Sequence, residues 1–319
     1  MPAPTTTIRG FINVDKPQGM TSFDVVRRIR RAAGGRKVGH AGTLDPNATG
    51  VLPIAIGEAT RLVDELVDSG KRYLAEVIFG STTDTYDLEG TVTSASDASG
   101  VDEAAVRAAL APYQGQVMQR PPAYSAVKRD GVAAYRAARR GEPLELEERP
   151  VTVYGIEVVE FDRSNAAAPR VILDIRCGKG FYVRSLAHDI GEALGCGAHL
   201  GALRRTQVGL FVIEDATPLD TAVRLLEAGA YETLVHAPDM VLTDWPAIIL
   251  GRDAATRIRQ GMDVLALPRE GYQRPAQDAS GGSARGYDGA GELLALLQPG
   301  AAAGMWHPYR VFPPETRSQ

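Results

Sequence analysis

Two stretches near the middle of the chain place the tightest limits on its fold. VTVYGIEVVEF (151–161) and RVILDIRC (170–177) alternate apolar and polar residues as half-buried strands do, with the turn-forming DRSNAAAP between them. Helical periodicity interrupts the strands at irregular intervals. After INVDKPQGMTS, a short strand running into a turn, Thr21 or Ser22 can cap a helix. Asp24 stands three residues beyond Thr21, and Val25, Val26, Ile29 and Ala33 form one apolar stripe. Asp102 opens a second helix with Val106 and Leu110 on one side, and GKGFYVRSLAHDIGEALG turns into a third with Leu186, Ile190 and Leu194 in register. VLPIAIG and KRYLAEVIFG read as further strands. No regular strand–helix–strand repeat links these elements, so the expected fold class is α+β around a mixed, largely antiparallel sheet.

At 319 residues the chain is long enough for a core of roughly 200 residues or more and a small second domain. Its texture changes near residue 240, and DWPAIIL and MWHPYRVF bracket the last part, so the expected division is 8–235 and 240–316. Inside the second part, PREGYQRPAQDASGGSARGYDGAG is rich in Gly, Ala, Ser and Pro, and a flexible insertion is expected at about 268–290. The opening MPAPTTTIRG lacks the basic and apolar regions of a secretion signal, and no stretch reaches the ~18 apolar residues of a membrane span. A cytoplasmic location and no membrane partner are expected. Two cysteines, Cys177 and Cys196, argue against a disulfide framework, and the histidines lack HxxxH or HxH spacing, so no metal is expected.

The net charge of −4 conceals an uneven distribution. Residues 8–40 hold eight Lys/Arg against two acids, residues 120–140 hold six against one, and residues 213–319 hold nine Arg against fourteen acids. The first two regions are candidates for following a phosphate backbone, or are simply solvated helix faces.

Within GHAGTLDPNATGVLPIAIGEATRL (39–62), Asp45 is the lone carboxylate among glycine, threonine, proline and aliphatic residues until Glu58. The following Pro46 biases Asp45 toward an extended or turn conformation, which would hold its carboxylate on a stiff loop. Asp-Pro also starts ordinary turns. A carboxylate that must stay charged in such surroundings needs a cation. Arg184, at a helix start behind a glycine turn, offers a planar fork suited to one, and Tyr182 lies two residues before it. Tyr73, beside Lys71 and Arg72, can stack on a base, or can be a packed strand tyrosine. PPAYSAVKRDGVAAYRAARRG joins a stiff di-proline to Tyr124, Lys128, Arg129, Tyr135, Arg136, Arg139 and Arg140. DTYDLEG hints at a calcium loop, but its acid spacing fails the EF-hand pattern.

Taken in order, VDKPQGMTS, GHAGTLDPNATGVLPIAIGEATRL, KRYLAEVIFGSTTDTYDLEG, RPPAYSAVKRDGVAAYRAARRG and CGKGFYVRSLAHDIGEALGCGAHLGALRRTQVGLF resemble the TruB family of tRNA pseudouridine-55 synthases over roughly residues 10–212. The resemblance implies a pseudouridine-synthase core and a small C-terminal PUA-like β domain. It implies Asp45 as the catalytic aspartate, Tyr73 stacked on the target base and Arg184 paired with the aspartate. Tyr182 would stand beside the reacting base, His40 in the RNA-binding loop, and Leu203 as a hydrophobic wall. The implied activity is isomerisation of a T-loop uridine in tRNA with base flipping, without a cofactor and without an obligate protein partner, by a monomer. Lys16, Arg30, Arg31, Lys128, Arg129 and Arg136 are the expected contacts to the RNA backbone. Two other readings are open: a relative that modifies ribosomal RNA with guide RNA and protein partners, and an RNA-binding or RNA-folding protein whose chemistry is incidental. The absence of long basic tails argues against the first, and Asp45 with Tyr73 and Arg184 against the second.

Overall fold

A ten-stranded sheet carries most of the chain in the computed structural model, which describes residues 8–129, 131–265, 282–302 and 304–313. Its main path runs Thr217–Pro218, Gly10–Lys16, Thr49–Ile56, Ala198–Val208, Lys71–Phe79, Arg170–Cys177, Arg149–Asp162 and Gly115–Gln119. Val38–His40 adds to Thr49–Ile56, and Phe211–Val212 adds to Ala198–Val208. Only two pairings are parallel, Gly10–Lys16 with Thr217–Pro218 and Ala198–Val208 with Thr49–Ile56, so the sheet is mixed and largely antiparallel as expected. At the second parallel pairing Arg205 stands opposite Gly50, whose φ is +100° and whose added Cβ would meet the Arg205 carbonyl at 2.1 Å. Only glycine allows the strands to close there.

The expected helices form, each for a local reason. Thr21 caps Ser22–Ala32 in a complete capping box with Asp24, a device worth about 1 kcal/mol, and Val25, Val26 and Ile29 enter the core. Asp102 accepts the Ala105 N–H at 2.8 Å to cap Glu103–Leu110. Val183–Ala193 buries Val183, Leu186, Ala187 and Ile190 against the sheet. Its Gly191 lies so close to the following strand that a Cβ would stand 2.1 Å from the Ala198 nitrogen.

A second sheet of five strands, in the order Ala247–Ile249, Ala284–Tyr287, Leu293–Pro299, Met305–Val311 and Val264–Leu265, agrees with the expected small C-terminal β unit. The strand Ala284–Tyr287 corrects one expectation, because it falls inside the segment expected to be a flexible loop. Ala284 and Gly286 are buried and Arg285 and Tyr287 half-buried, a strand alternation in which only Tyr287 has high β propensity. Residues 268–281 of that segment lie outside the described residues. The two sheets share an apolar cluster in which Phe11, Val51 and Phe211 meet Leu293, Leu296 and Phe312. Among the described residues no helix is long and apolar enough to cross a membrane.

Candidate active site

The Asp45 loop leaves the strand Val38–His40 and returns into Thr49–Ile56, and hydrogen bonds to its backbone hold it. Ser22, in the first turn of its helix, receives the Leu44 N–H at 2.8 Å and donates to the Leu44 carbonyl at 3.1 Å. Gly19 N–H donates to the Pro46 carbonyl at 2.9 Å, and the Ala48 N–H turns back to the Asp45 carbonyl at 3.1 Å. The sequence offers Thr21 and Ser22 as alternative caps. The structure divides the work, with Thr21 capping and Ser22 clamping the loop.

Lys16 corrects an expectation. The sequence makes it a phosphate contact, yet it has no exposed surface, and its ammonium donates to the carbonyls of Pro17 at 2.9 Å, Met20 at 2.5 Å and Pro46 at 3.0 Å. A group so enclosed cannot reach a backbone outside. Burial pulls its pKa down to about 8, Asp45 opposes that change, and Arg205 adds to it. Its position beneath Pro46 makes it a support for the loop.

Arg184 and Asp45 come together. Arg184 Nε lies 3.0 Å from Asp45 Oδ2, while Nη1 donates to the Thr85 carbonyl at 3.1 Å and Nη2 to the Tyr124 carbonyl at 2.9 Å. The Arg184 side chain is 8% exposed and that of Asp45 42%, so the cation is fixed while the carboxylate faces outward. A cation in the first turn of a helix opposes the helix dipole. Two carboxylates offset this, because Asp87 Oδ2 stands 3.7 Å from the same Nε. Asp87 is in turn fixed through Oδ1, which accepts the Thr85 hydroxyl at 2.6 Å and the Glu89 N–H at 3.0 Å.

Asp87 is the site residue that sequence reasoning missed. It belongs to DTYDLEG, considered only as a calcium loop, and no local pattern marks it. It reaches the site because Leu200 N–H donates to the Tyr86 carbonyl at 2.9 Å and Leu88 N–H to the Leu200 carbonyl at 3.1 Å, stitching that loop to the strand Ala198–Val208. Tyr86, with φ of 63°, is pinned by stacking on His188 at a centroid distance of 3.9 Å.

Asp45, Asn47, Asp87, Leu88, Glu89, Leu200 and Leu203 line one small open pocket, so Leu203 shares it with the carboxylate. Tyr73 lies outside that lining. It is 8% exposed, packed in the main core, with its hydroxyl beside the Arg205 guanidinium and pushed up from its ordinary pKa chiefly by burial. Tyr182 occupies the N-cap position of the helix that carries Arg184 without a side-chain capping bond, and its backbone N–H and carbonyl are held by Gln119 at 2.8 and 3.0 Å. Burial raises the pKa of the Tyr182 hydroxyl, and the Arg184 and Asp45 charges both act on it. His40 is half-buried on the strand Val38–His40 and is not part of the cavity lining; burial, then Arg205, lowers its pKa and favours the neutral ring.

Arg30 and Arg31 are exposed on the helix Ser22–Ala32, and Lys128, Arg129 and Arg136 on the 120–140 excursion. Arg129 donates to the Glu145 carbonyl at 2.5 Å, and the Arg136 and Arg139 guanidinium groups each lie 5.8 Å from the centre of the Tyr135 ring. That excursion touches the site through its backbone, at the Tyr124 carbonyl. Among the described residues no group of three or more His, Cys, Asp or Glu is placed to hold a metal ion.

Comparison with known proteins places these features in a family. The model of the TruB family pseudouridylate synthase N-terminal domain matches residues 30–183, and that of the tRNA pseudouridylate synthase B C-terminal domain matches 184–236. A protein of Geobacter sulfurreducens named tRNA pseudouridine synthase B is 40% identical over 93% of this chain and 95% of its own. One of the same name from Arthrobacter sp. is 42% identical over 96% of this chain and 97% of its own. Among solved structures, an H/ACA RNP bound to a substrate RNA containing 2′-deoxyuridine is 26% identical, with a TM-score of 0.68 over 96% of this chain and 86% of that one. An archaeal box H/ACA sRNP Nop10-Cbf5 complex is 28% identical, with a TM-score of 0.68 over 96% and 87%. Matches of this length and identity mean that the chain belongs to the TruB family of pseudouridylate synthases.

Proposed function

We propose that the chain converts a T-loop uridine of tRNA, position 55, to pseudouridine, with Asp45 as the catalytic carboxylate. The observation that carries the proposal is the 3.0 Å contact of a fixed Arg184 with a half-exposed Asp45 at the mouth of a cavity. The relatives named for tRNA, matched over nearly their whole length, favour that substrate over a guided ribosomal one.

The chemistry is an isomerisation. The N1–C1′ bond of the uridine breaks, the uracil rotates, C5–C1′ forms, and the proton on C5 leaves while N1 gains one. A carboxylate has three ways to start this: attack at C1′, addition to C6, or removal of a sugar proton toward a glycal. In each, Asp45 begins ionised. Arg184 stabilises that form, and Asp87 with the Thr85 and Tyr124 carbonyls keeps Arg184 from following the substrate. The uridine must leave its stack, at a cost of a few kcal/mol that stacking and phosphate contacts offset. Tyr73 supplies the aromatic face, Leu203 the wall and Tyr182 a neighbour to the base. Because Tyr73 is 8% exposed, stacking requires the pocket to open around the entering uracil.

His40, at the end of the strand that leads into the Asp45 loop, acts where that loop meets the RNA, and Arg30, Arg31, Lys128, Arg129 and Arg136 neutralise phosphates of the T-arm. Residues 8–235 form the catalytic unit and 240–316 a PUA-like unit, working as a monomer in the cytoplasm. The test is tritium release from a tRNA transcript carrying C5-tritiated uridine. The wild type is expected to release tritium from the T-loop uridine. Asp45→Asn is expected to lose at least about a thousandfold in rate while its Kd for tRNA stays within about twofold. Equal release by both would sink the assignment of Asp45, and a collapse of binding would make Asp45 a structural residue.

A further inference from the structure

A second buried cation lies under the Asp45 loop, and it has no carboxylate partner among the described residues. Arg205 is 1% exposed. Its Nε–H donates to the Val51 carbonyl at 2.8 Å, Nη2–H to the Gly42 carbonyl at 3.0 Å and Nη1–H to the Thr43 carbonyl at 3.4 Å. Two of these acceptors precede Asp45 and one follows it. Arg205 is also the register partner of Tyr73 across the antiparallel pairing of Ala198–Val208 with Lys71–Phe79, and its charge acts on the Tyr73 hydroxyl.

This is a costly arrangement for packing alone. Enclosing a guanidinium strips it of water that backbone carbonyls only partly replace, and an apolar residue of similar volume commonly serves stability as well or better. Arginine provides a rigid planar fork with donors in fixed directions. Gly42, with φ of +88°, brings the loop so close that an added Cβ would stand 3.4 Å from Arg205 Nη1. The guanidinium therefore spans the loop that carries the carboxylate, the strand that follows it and the strand that carries the aromatic ring.

We propose that Arg205 is a positioning residue for the isomerisation, tying the Asp45 loop to Tyr73 and so fixing the separation between carboxylate and aromatic face. The proposal rests on the roles given above to Asp45 and Tyr73. Those two groups must address one nucleotide together, the ring holding the base while the carboxylate acts on the sugar or on C6. A misplacement of about 1 Å in such a pair slows chemistry by about a hundredfold.

The experiment is single-turnover tritium release at saturating enzyme for the wild type, Arg205→Lys, Tyr73→Phe and Asp45→Asn, with tRNA Kd and a thermal melt for each. Arg205→Lys keeps the charge but not the fork, and its rate constant is expected to fall about 30- to 100-fold with Kd within about twofold. Tyr73→Phe removes only the hydroxyl and is expected to slow the same step about 3- to 10-fold without lowering the melt. It carries the test alone if Arg205→Lys does not fold. A wild-type rate in Tyr73→Phe, or a rate loss in either folded variant matched by an equal loss of tRNA binding, overturns the proposal. Tritium release by Asp45→Asn would overturn the reading of the site itself. A silent Asp45→Asn beside a wild-type rate in Arg205→Lys removes only the role of Arg205.

Discussion

Basic side chains occupy two regions of this molecule under opposite conditions. Beneath the Asp45 loop, Lys16 and Arg205 are enclosed and spend their donors on carbonyls of the loop and its borders. On the helix Ser22–Ala32 and the 120–140 excursion, Arg30, Arg31, Lys128 and Arg136 stand in solvent. In the first region the charge serves geometry, since a buried cation is tolerable only where fixed dipoles replace its water. In the second the charge is free to exchange counterions for phosphates. Density of basic residues along the chain does not separate the two, because Lys16 lies in the same basic stretch as Arg30 and Arg31.

The sharpest way to break this contrast is Lys16→Met. It takes one donor away from each of three carbonyls, among them that of Pro46 beside Asp45, which keeps only the Gly19 N–H, and is expected to slow single-turnover isomerisation about 10- to 100-fold. Urea melts are expected to show about 1–3 kcal/mol of destabilisation, with tRNA affinity changed less than about twofold. A variant that instead bound tRNA weakly and reacted at the normal rate when saturated would return Lys16 to the outer group.

The converse change, Arg30→Ala with Arg31→Ala, is expected to weaken tRNA binding and to lower the slope of log K against log salt by about 0.7–0.9 for each phosphate no longer neutralised. The saturated rate and the melt should stay as they were, within about 0.5 kcal/mol for the melt. An unchanged salt slope would show that these arginines meet no phosphate.

The smallest effect is on pH dependence. Lys16 has a folded pKa lowered from 10.5 to about 8, so between those values the unfolded chain binds more protons than the folded one. Stability should therefore gain from Lys16 as pH rises from about 8 toward 10.5, and the penalty should be present in full below about 8. Lys71, also lowered to about 8, contributes with the same sign. Comparing melts of the wild type and Lys16→Met at pH 8 and pH 10 isolates the first lysine. Equal pH slopes in the two proteins would mean that Lys16 keeps its proton.

Much of the architecture was legible locally. Thr21 and Asp24 stand at capping-box spacing and form the box, and VTVYGIEVVEF and RVILDIRC become antiparallel neighbours. Asp45 and Arg184 were paired by resemblance and lie in contact. The strand Ala284–Tyr287 escaped notice because alanine, arginine and glycine carry no strand signal, and the sheet on both sides of it supplies the pairing. Lys16 ends a strand buried along nearly all its length, so no alternation announced that its side chain would point inward. Asp87 depends on the stitching of its loop to Leu200, a contact between distant segments that neither segment encodes alone.

The adjacent pair Arg204 and Arg205 marks where the sequence stops. Order of elements, the stiff Asp-Pro loop and membership of the family follow from residues and spacing, because caps, turns and alternation act over a few positions. Two identical neighbours on one strand must point to opposite faces, and nothing local says which is which. In the folded protein Arg204 pairs with Asp15 at 2.9 Å and is 42% exposed, whereas Arg205 is sealed beneath the Asp45 loop. That choice belongs to the tertiary structure, because it depends on which face of the sheet the loop and Tyr73 come to cover.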